Sequence, residues 1–192
     1  MCYTEFTNEN EVLNMILERA EKGDFDAIWA EMQQNFPREE LREELDAKAV
    51  FDDPAYAVYH LVKDGERVGF ITLWEFDGFV FGEHFVIYEA YRNRGLGGEA
   101  IDAVTARFGK MILEAEHPVS EIAARRLGFY RRHGFSVNPQ PYFQPSYHAG
   151  EEDVPLALLS YPAPLTDAEF DDAVTRIYEV VYHRHDRGGV RS

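Results

Sequence analysis

The chain has 192 residues, of which 45% are hydrophobic and 14% aromatic, so it can form a folded domain with a buried core. Its net charge of −16 disfavours nucleic acid as the main partner, and no apolar run approaches the roughly 20 residues of a membrane span. The only cysteine, Cys2, excludes an internal disulfide and a cysteine metal cage, and the acidic N-terminus is unlike a signal peptide. We therefore expect a cytoplasmic protein with no metal, no nucleic-acid partner and no membrane partner.

The charge is unevenly distributed along the chain. Residues 91–135 carry a net charge of +3, whereas the remaining residues carry −19. A basic segment in an acidic protein indicates an anionic ligand beside a surface that attracts cations. The plainer alternative is incidental clustering of charges on solvated helix faces.

The N-terminal quarter is predicted to be helical. Residues 9–22 have an amphipathic pattern, and Asp24 can cap a second helix that ends before Pro37. An acidic third helix is expected from Arg38 to Val50. The apolar positions of the second helix recur at helical spacing: Phe25, Ile28, Trp29 and Met32.

Three strands follow, at residues 55–63, 67–76 and 79–87. Asp64-Gly65 and Asp77-Gly78 separate them, and such pairs favour tight hairpin turns. The pattern therefore predicts an antiparallel meander of three strands.

The second half alternates between helices and strands. Ser120 is placed to cap one of the helices, and Pro139–Tyr147 is a proline-rich, aromatic stretch expected to be a connector. The predicted elements are a helix at 95–108, a strand at 110–115, a helix at 121–133, a strand at 154–161 and a C-terminal helix at 166–184. This order predicts an α/β (α+β) fold, with a mixed, mostly antiparallel twisted sheet flanked by helices and one parallel step.

The segment from Glu83 to Ala100 contains the strongest chemical signal, a strand, a turn with two arginines, and glycines that open a helix. In the run Arg92-Asn93-Arg94-Gly95-Leu96-Gly97-Gly98, glycines let backbone N–H groups approach phosphate oxygens. The helix N-terminus and the arginines favour the same anion. A tight loop that needs glycine only for its backbone conformation is the alternative.

One interpretation is a dinucleotide site. The run from Gly95 to Ala100 matches G-x-G-x-x-G/A, and Glu114 or Glu116 lies about 20 residues on, where an acid binds ribose in such folds. Three features count against it: residues 88–94 separate the strand from the glycines, antiparallel strands precede the turn, and no second mononucleotide-binding half follows.

The other interpretation is acyl-coenzyme A. Arg92-x-x-Gly95-x-Gly97 resembles the pyrophosphate loop of the GNAT superfamily of acyl-CoA N-acyltransferases, and Phe129-Tyr130-Arg131-Arg132-His133-Gly134-Phe135 resembles its second signature. The resemblance spans residues 24–161. It implies an N-terminal helical extension at 1–23, a GNAT-like domain at 24–161, and a C-terminal helix at 162–192 that packs on or extends the same domain.

The resemblance also implies where acetyl-CoA binds. Pantetheine would lie between Phe85–Ile87 and Met111–Ala115, with the backbone N–H near Ile87 as the partner of the thioester carbonyl. The position of a common cofactor-binding asparagine is Ala123 here, which removes that contact. The predicted cofactor-binding residues are Ile87, Arg92, Asn93, Arg94, Gly95, Leu96, Gly97 and Gly98.

Two catalytic residues follow from the same resemblance. Tyr130 is predicted to be the general acid that protonates the departing thiolate, since a phenol can donate to a thiolate at modest cost. Glu83 is predicted to be the general base, acting directly or through water. Strand alternation places it with Phe85 and Ile87, where apolar neighbours would raise its pKa; an exposed glutamate is the alternative. His84 is a second candidate on the opposite face, and Glu89 in the loop is a weaker one.

The predicted function is N-acetylation by direct transfer from acetyl-CoA to a primary amine. The acidic surface favours a cationic small molecule or peptide amine as acceptor, and Pro139–Tyr147 is a candidate wall of its pocket. A non-catalytic acyl-CoA-binding module on the same fold is the alternative from another class. Whether the chain forms a homodimer is left open.

Overall fold

The computed structural model describes residues 15–148 and 150–185. The helices are α1 (Phe25–Asn35), α2 (Glu44–Val50), α3 (Leu96–Phe108), α4 (Glu121–Arg132) and α5 (Asp167–Val180). The strands are β1 (Ile16–Arg19), β2 (Tyr56–Lys63), β3 (Glu66–Phe76), β4 (Phe79–Ile87), β5 (Met111–Glu116), β6 (Ser136–Val137), β7 (Tyr142–Gln144) and β8 (Val154–Tyr161). Within the described ranges they form one sheet in the order β1-β2-β3-β4-β5-β8-β6, with β7 also paired to β8. All pairs are antiparallel except β4 with β5, so the predicted fold class is confirmed.

The predicted N-terminal helix at 9–22 is wrong where it can be compared. Residues 9–14 lie outside the described residues, and Ile16–Arg19 is strand β1. Ile16 pairs with Val62 and Leu17 with Leu61 at the edge of the sheet. The backbone hydrogen bonds that β2 offers along this edge outweigh a short helical pattern.

The meander of β2, β3 and β4 is confirmed. Asp64 and Gly65 both have positive φ angles, 53° and 80°, the conformation of a two-residue hairpin turn whose twist matches that of the strands. Gly78 at the second turn also has a positive φ, of 90°. These turns set the register of the strands that carry the site.

The predicted third helix, from Arg38 to Val50, is interrupted. Residues 38–40 form a short 3-10 helix, Leu41 and Glu43 are extended, and α2 begins only at Glu44. The break turns Leu41 into the core and sends the guanidinium of Arg42 to Glu83 and to the carbonyl oxygen of Val181. Tertiary contacts of two side chains therefore override a strong local helix pattern.

The parallel step lies where predicted, with α3 crossing between β4 and β5. The two strands pair over only three positions, from Val80 with Met111 to Gly82 with Leu113. Beyond these residues β4 continues to Ile87 and β5 to Glu116 without pairing to each other. The sheet therefore opens between the carboxyl ends of its two parallel strands.

Two hydrophobic cores cover the two faces of the sheet. The first contains α1 and α5, including Trp29 and Ile177, and the second contains α3 and α4, including Ile101 and Leu127. Ser120 caps α4 as predicted, and Thr166 caps α5 by accepting a hydrogen bond from the N–H of Glu169. Asp24 begins α1 without a side-chain cap; its carboxylate instead accepts hydrogen bonds from Arg67 and the N–H of Glu21.

Gly69 is required where β3 and β4 approach most closely. A Cβ at this position would lie 2.1 Å from the backbone oxygen of Val86. We expect Gly69→Ala to lower the free energy of unfolding by about 1–3 kcal/mol, as overpacking does, in urea denaturation. Gly23→Ala is the control, because its Cβ would meet nothing within 4 Å. Equal losses in the two variants would contradict this explanation.

Candidate active site

Arg92 joins the turn between β4 and α3 to two elements, β4 and α1. Arg92 donates from Nε to the carbonyl oxygen of Ile87 at 2.9 Å, and its guanidinium also donates to Oδ1 of Asn35 in α1. The guanidinium of Arg94 lies 5.6 Å from the ring centroid of Tyr91 and is exposed. Arg92 therefore positions the turn, whereas Arg94 presents its charge to solvent.

The space in front of α3 is open. Gly95 has a φ of +80° and no side chain caps the helix after it. A Cβ at Gly95 would meet nothing within 4 Å, and one at Gly97 would make only ordinary contacts, the nearest at 3.8 Å to Phe129. The protein's own packing does not demand glycine at 97. This arrangement fits an anionic group held by the first backbone N–H groups of α3.

The other predicted loop residues have structural roles. A Cβ at Gly98 would lie 2.8 Å from the ring of His133, so glycine here allows α3 to pack against the end of α4. Leu96 is buried in the second core. Asn93 has a φ of +62°, which asparagine tolerates better than most residues. Cofactor binding by these residues stays a prediction.

A cavity of about 300 Å³ lies where β4 and β5 separate. Gly82 to Phe85 line it from β4, and Met111, Leu113 and Glu114 line it from β5. Phe129 and Tyr130 of α4 complete its wall. The cavity therefore brings together the two predicted catalytic residues, Glu83 and Tyr130.

Tyr130 is buried between two aromatic rings. Phe129 and Phe135 pack edge-on against it, with ring centroids 5.2 and 5.5 Å away. Burial raises the pKa of Tyr130 to about 12, so its phenol remains protonated at every pH at which the protein is expected to work. This is the state that a proton donor requires.

Glu83 lies on a different face of the sheet from the one predicted. Gly82 pairs with Leu73 and His84 with Thr72, which leaves Glu83 as the extra residue of a β-bulge. The bulge shifts the alternation of β4 by one residue. Glu83 therefore does not share a face with Phe85 and Ile87, as strict alternation would require.

The prediction of a raised pKa for Glu83 is also wrong. Its carboxylate accepts hydrogen bonds from Arg42 at 2.7 Å, from the hydroxyl of Tyr147 at 2.7 Å and from Trp74 at 3.2 Å. Burial is the largest single effect and opposes ionisation, but Arg42, His84 and Tyr147 together outweigh it and hold the pKa of Glu83 well below its usual range. A carboxylate so stabilised is a weak base. Its role as general base stays a prediction, now without this support.

His84 and Glu89, the two weaker candidates for the general base, lie in different places. The bulge brings His84 close to Glu83, with Nδ1 3.6 Å from Oε2, and its Nε2 contacts the carbonyl oxygen of Glu40 at 3.0 Å. Glu89 lies in the 3-10 helix that precedes Arg92 and is exposed. Only His84 of these two lines the cavity.

A second cavity, of about 210 Å³, adjoins the first. The two share the lining residues Glu40, Glu83, His84, Glu114 and Arg126. Its wall is rich in carboxylates, although Arg126 also lines it. The five glutamates that line it are Glu39, Glu40, Glu83, Glu114 and Glu116.

A family model matches residues 24–135 of this chain, more than half of its length, and its description is Acetyltransferase (GNAT) family. The chain belongs to the GNAT acetyltransferase family. The match includes β2 to β5, the glycine turn and both predicted catalytic residues. GNAT membership removes the support for a dinucleotide site, which the antiparallel meander before the turn already disfavoured. The comparison with curated protein sequences found no match.

Several solved structures share the fold. A GNAT-family protein from Bacteroides thetaiotaomicron is 28% identical, with a TM-score of 0.83, and the alignment covers 88% of this chain and 99% of that one. NAA60 of Arabidopsis thaliana in complex with acetyl-CoA is 16% identical, with a TM-score of 0.57 and coverage of 77% and 98%. A spermidine N-acetyltransferase SpeG chimera from Vibrio cholerae and hSSAT is 13% identical, with a TM-score of 0.55 and coverage of 82% and 99%. The latter two show the fold alone.

Several contacts of this GNAT site were not predicted from the sequence. Arg42 and Tyr147 contact Glu83, and Tyr142 and Tyr182 contact Glu114. Glu114 had one available signal, since it interrupts the otherwise apolar run of β5. Tyr142 and Tyr147 lie in Pro139–Tyr147, the stretch given as a candidate wall of the acceptor pocket, whereas Arg42 and Tyr182 had no signal, because their partners are distant in sequence.

Two negative findings hold for the described ranges of the chain. None of their helices has the length and hydrophobicity of a membrane span. Among the same residues, no cluster of three or more histidine, cysteine, aspartate or glutamate side chains could hold a metal ion.

Proposed function

We propose that this GNAT protein transfers an acetyl group from acetyl-CoA directly to a primary amine, and that the amine is cationic. The observation that carries the proposal is the opening between β4 and β5. This opening lies between the glycine turn and the second cavity, which is lined by carboxylates. Tyr130 lines the first cavity, at the opening itself. A donor with phosphates and an acceptor with a positive charge can therefore meet there.

The residues of the turn fit the phosphates of the co-substrate. The uncapped first turn of α3 and the exposed guanidinium of Arg94 supply donors, and Gly95 and Gly97 leave the space free. Acetyl-CoA supplies an activated acetyl thioester. In this proposal the predicted set binds it: Ile87, Arg92, Asn93, Arg94, Gly95, Leu96, Gly97 and Gly98.

Tyr130 acts in this proposal as the general acid. Its hydroxyl group remains protonated because burial raises its pKa, and it lines the same cavity as the ends of β4 and β5. Donation of its proton to the departing thiolate makes the leaving group neutral.

The acceptor is proposed to be a cationic amine because of the glutamates that line the second cavity. Burial raises the pKa of Glu40, because an ionised carboxylate is poorly solvated there, and a bound cation would favour its ionised form. One protein of similar fold is the spermidine N-acetyltransferase chimera, and another, AAC(6')-Ib, was solved in complex with paromomycin and acetyl-CoA. Spermidine and paromomycin are both cationic amines. The low identity of these two proteins leaves the choice of amine to experiment.

The proposal is tested by ligand binding and thiol release. Acetyl-CoA at about 100 times its Kd should stabilise the protein by about 2.7 kcal/mol, a clear rise in Tm, whereas NAD and NADP should not. Release of free thiol in the presence of spermidine or an aminoglycoside would then identify the acceptor class. Binding of acetyl-CoA without turnover in a broad amine screen would favour the alternative of a non-catalytic acyl-CoA-binding module.

Replacement of Arg94 should weaken acetyl-CoA binding. Loss of charge-assisted hydrogen bonds worth about 1.5–3 kcal/mol should raise the Kd of Arg94→Ala about 10- to 100-fold in titration calorimetry. Arg125→Ala is the control, because Arg125 is an exposed arginine of the same basic segment that pairs with Glu121 on α4, away from the turn. Equal Kd values for the two variants would remove Arg94 from the site.

A further inference from the structure

Glu114 lines both cavities but has no role in the catalysis proposed for Glu83 and Tyr130. It lies on β5 just beyond the last residue that pairs with β4, and its side chain lines both cavities. It is therefore the carboxylate of β5 at the junction of the Tyr130 cavity and the acidic cavity. A group that removes a proton from the acceptor must lie at such a junction.

The carboxylate of Glu114 is held by phenols and not by a cation. Tyr142 donates a hydrogen bond to Oε1, and Tyr182 contacts Oε2 at 2.9 Å and Oε1 at 3.1 Å. Among the described residues, no lysine or arginine forms an ion pair with Glu114, whereas Glu83 is paired with Arg42. The two neighbouring carboxylates therefore have opposite surroundings.

These different surroundings give the carboxyl groups of Glu83 and Glu114 different pKa values. Burial raises the pKa of Glu114 to about 7, against the opposing effect of the two phenols, and Glu83 and Glu40 raise it further. A base with a pKa near the working pH combines a large ionised fraction with useful proton affinity. The charged and titratable groups around Glu114 are Glu83 and His84 of β4, Glu40 of the 3-10 helix, Arg126 of α4, Tyr142 of β7, Tyr147, and Tyr182 after α5.

We propose that Glu114 is the general base that deprotonates the acceptor ammonium, and that Glu83 is instead a positioning residue locked in an ion pair with Arg42. The inference rests on the proposed N-acetyltransferase function. An N–H bond of the ammonium breaks and an O–H bond forms on Glu114, which frees the lone pair of the amine nitrogen. Glu114 later returns this proton to solvent.

The remaining bonds and protons balance without another reactant. The amine lone pair forms the C–N bond, the thioester C–S bond breaks, and the thiolate takes the proton of Tyr130. The nitrogen then loses a second proton, which restores the hydroxyl group of Tyr130. The products are an amide, a neutral thiol and one proton in solvent.

The test compares Glu114→Gln with Glu83→Gln in the full chain. The substrates are acetyl-CoA and the best acceptor from a screen that contains spermidine and an aminoglycoside. At pH 7 we expect Glu114→Gln to lower kcat/KM about 10²- to 10⁴-fold. The wild-type rate should rise as the pH increases through about 7, and the variant should lack this rise. Hydroxylamine is uncharged at neutral pH, so its acetylation should be much less affected.

Tyr142→Phe distinguishes a base from a structural carboxylate. This variant removes a hydrogen bond that stabilises the ionised form of Glu114, so the pKa of Glu114 should increase. The rising limb of the pH–rate profile should therefore move to higher pH, while the rate at high pH is largely retained. A variant that only loosened the fold would lower the rate at every pH.

Three outcomes would overturn the inference. In the first, the rise of the pH–rate profile near pH 7 persists in Glu114→Gln but is absent in Glu83→Gln. In the second, the rise persists in Glu114→Gln but is absent in His84→Asn. Equal losses with hydroxylamine and the cationic acceptor would also overturn it. Failure of the wild-type protein to release thiol with any amine would instead refute the proposed function. The folding of Glu114→Gln is checked separately, by a thermal melt at the pH of the assay.

Discussion

Replacement of Tyr130 by phenylalanine is expected to lower kcat about 10²- to 10⁴-fold, the usual contribution of a general acid. The substitution keeps the ring that packs between Phe129 and Phe135, so the fold and the binding of acetyl-CoA should change little. The loss should therefore appear in kcat and leave KM for acetyl-CoA nearly constant. Steady-state thiol release at saturating acceptor measures both parameters.

The matched control for this substitution is Tyr161→Phe. Tyr161 also packs against Phe135, with ring centroids 5.6 Å apart, but it lines neither cavity. It should retain most of the wild-type kcat. If Tyr130→Phe turned over as fast as Tyr161→Phe, then Tyr130 would not be the proton donor, and water or another residue would protonate the thiolate.

Replacement of Arg42 by methionine is expected to lower the free energy of unfolding by about 3–5 kcal/mol, because it leaves a buried charge without its partner. The side chains of Arg42 and Glu83 are only 9% and 3% exposed. Solvent cannot replace the lost ion pair at such burial. Urea denaturation at neutral pH measures the loss, and the double variant Arg42→Met/Glu83→Gln should recover part of it.

The dependence of this loss on pH has a definite sign. In the wild-type protein, Arg42 holds the pKa of Glu83 well below its usual range, so the pair stabilises the fold above the ordinary glutamate pKa. Without Arg42, burial raises the pKa of Glu83, and protonation at acidic pH removes the unpaired charge. The destabilisation should therefore be smaller at about pH 4 than at pH 7.

Arg38→Met is the control for Arg42→Met. Arg38 also pairs with two glutamates, Glu43 and Glu151, but its side chain is 64% exposed. Surface ion pairs contribute about 0–1 kcal/mol, so its loss should be small. Similar losses at positions 38 and 42 would mean that burial does not determine the strength of the Arg42 pair.

Much of the fold could be predicted from the sequence because its signals are local. The turns at Asp64-Gly65 and Asp77-Gly78 define the meander, and α3 begins at the glycines that suggested it. The four apolar positions predicted for α1 are its four buried residues, Phe25, Ile28, Trp29 and Met32. Each of these features depends on residues within a few positions of one another.

The errors concern features that depend on distant partners. β1 forms because β2 offers a free edge, and the helix predicted from Arg38 breaks because Arg42 reaches Glu83. The β-bulge at Glu83 reverses the strand alternation, and no local pattern in β4 announces it. The surroundings of Glu114 likewise come from tyrosines 28 and 68 residues away. Proton affinities in the site could not be predicted, since they are set by such contacts.

Two residues just after α5 contact side chains of the site, although they lie far in sequence from the glycine turn. Val181 accepts a hydrogen bond from Arg42, and Tyr182 contacts Glu114. Both lie beyond the segment that the family model matches, as do Tyr142 and Tyr147. Under the proposed function, part of the acceptor side is thus encoded after the stretch that carries the glycine turn and Tyr130. Exchange of the C-terminal stretch between relatives could change which amine is acetylated while the handling of the thioester is preserved.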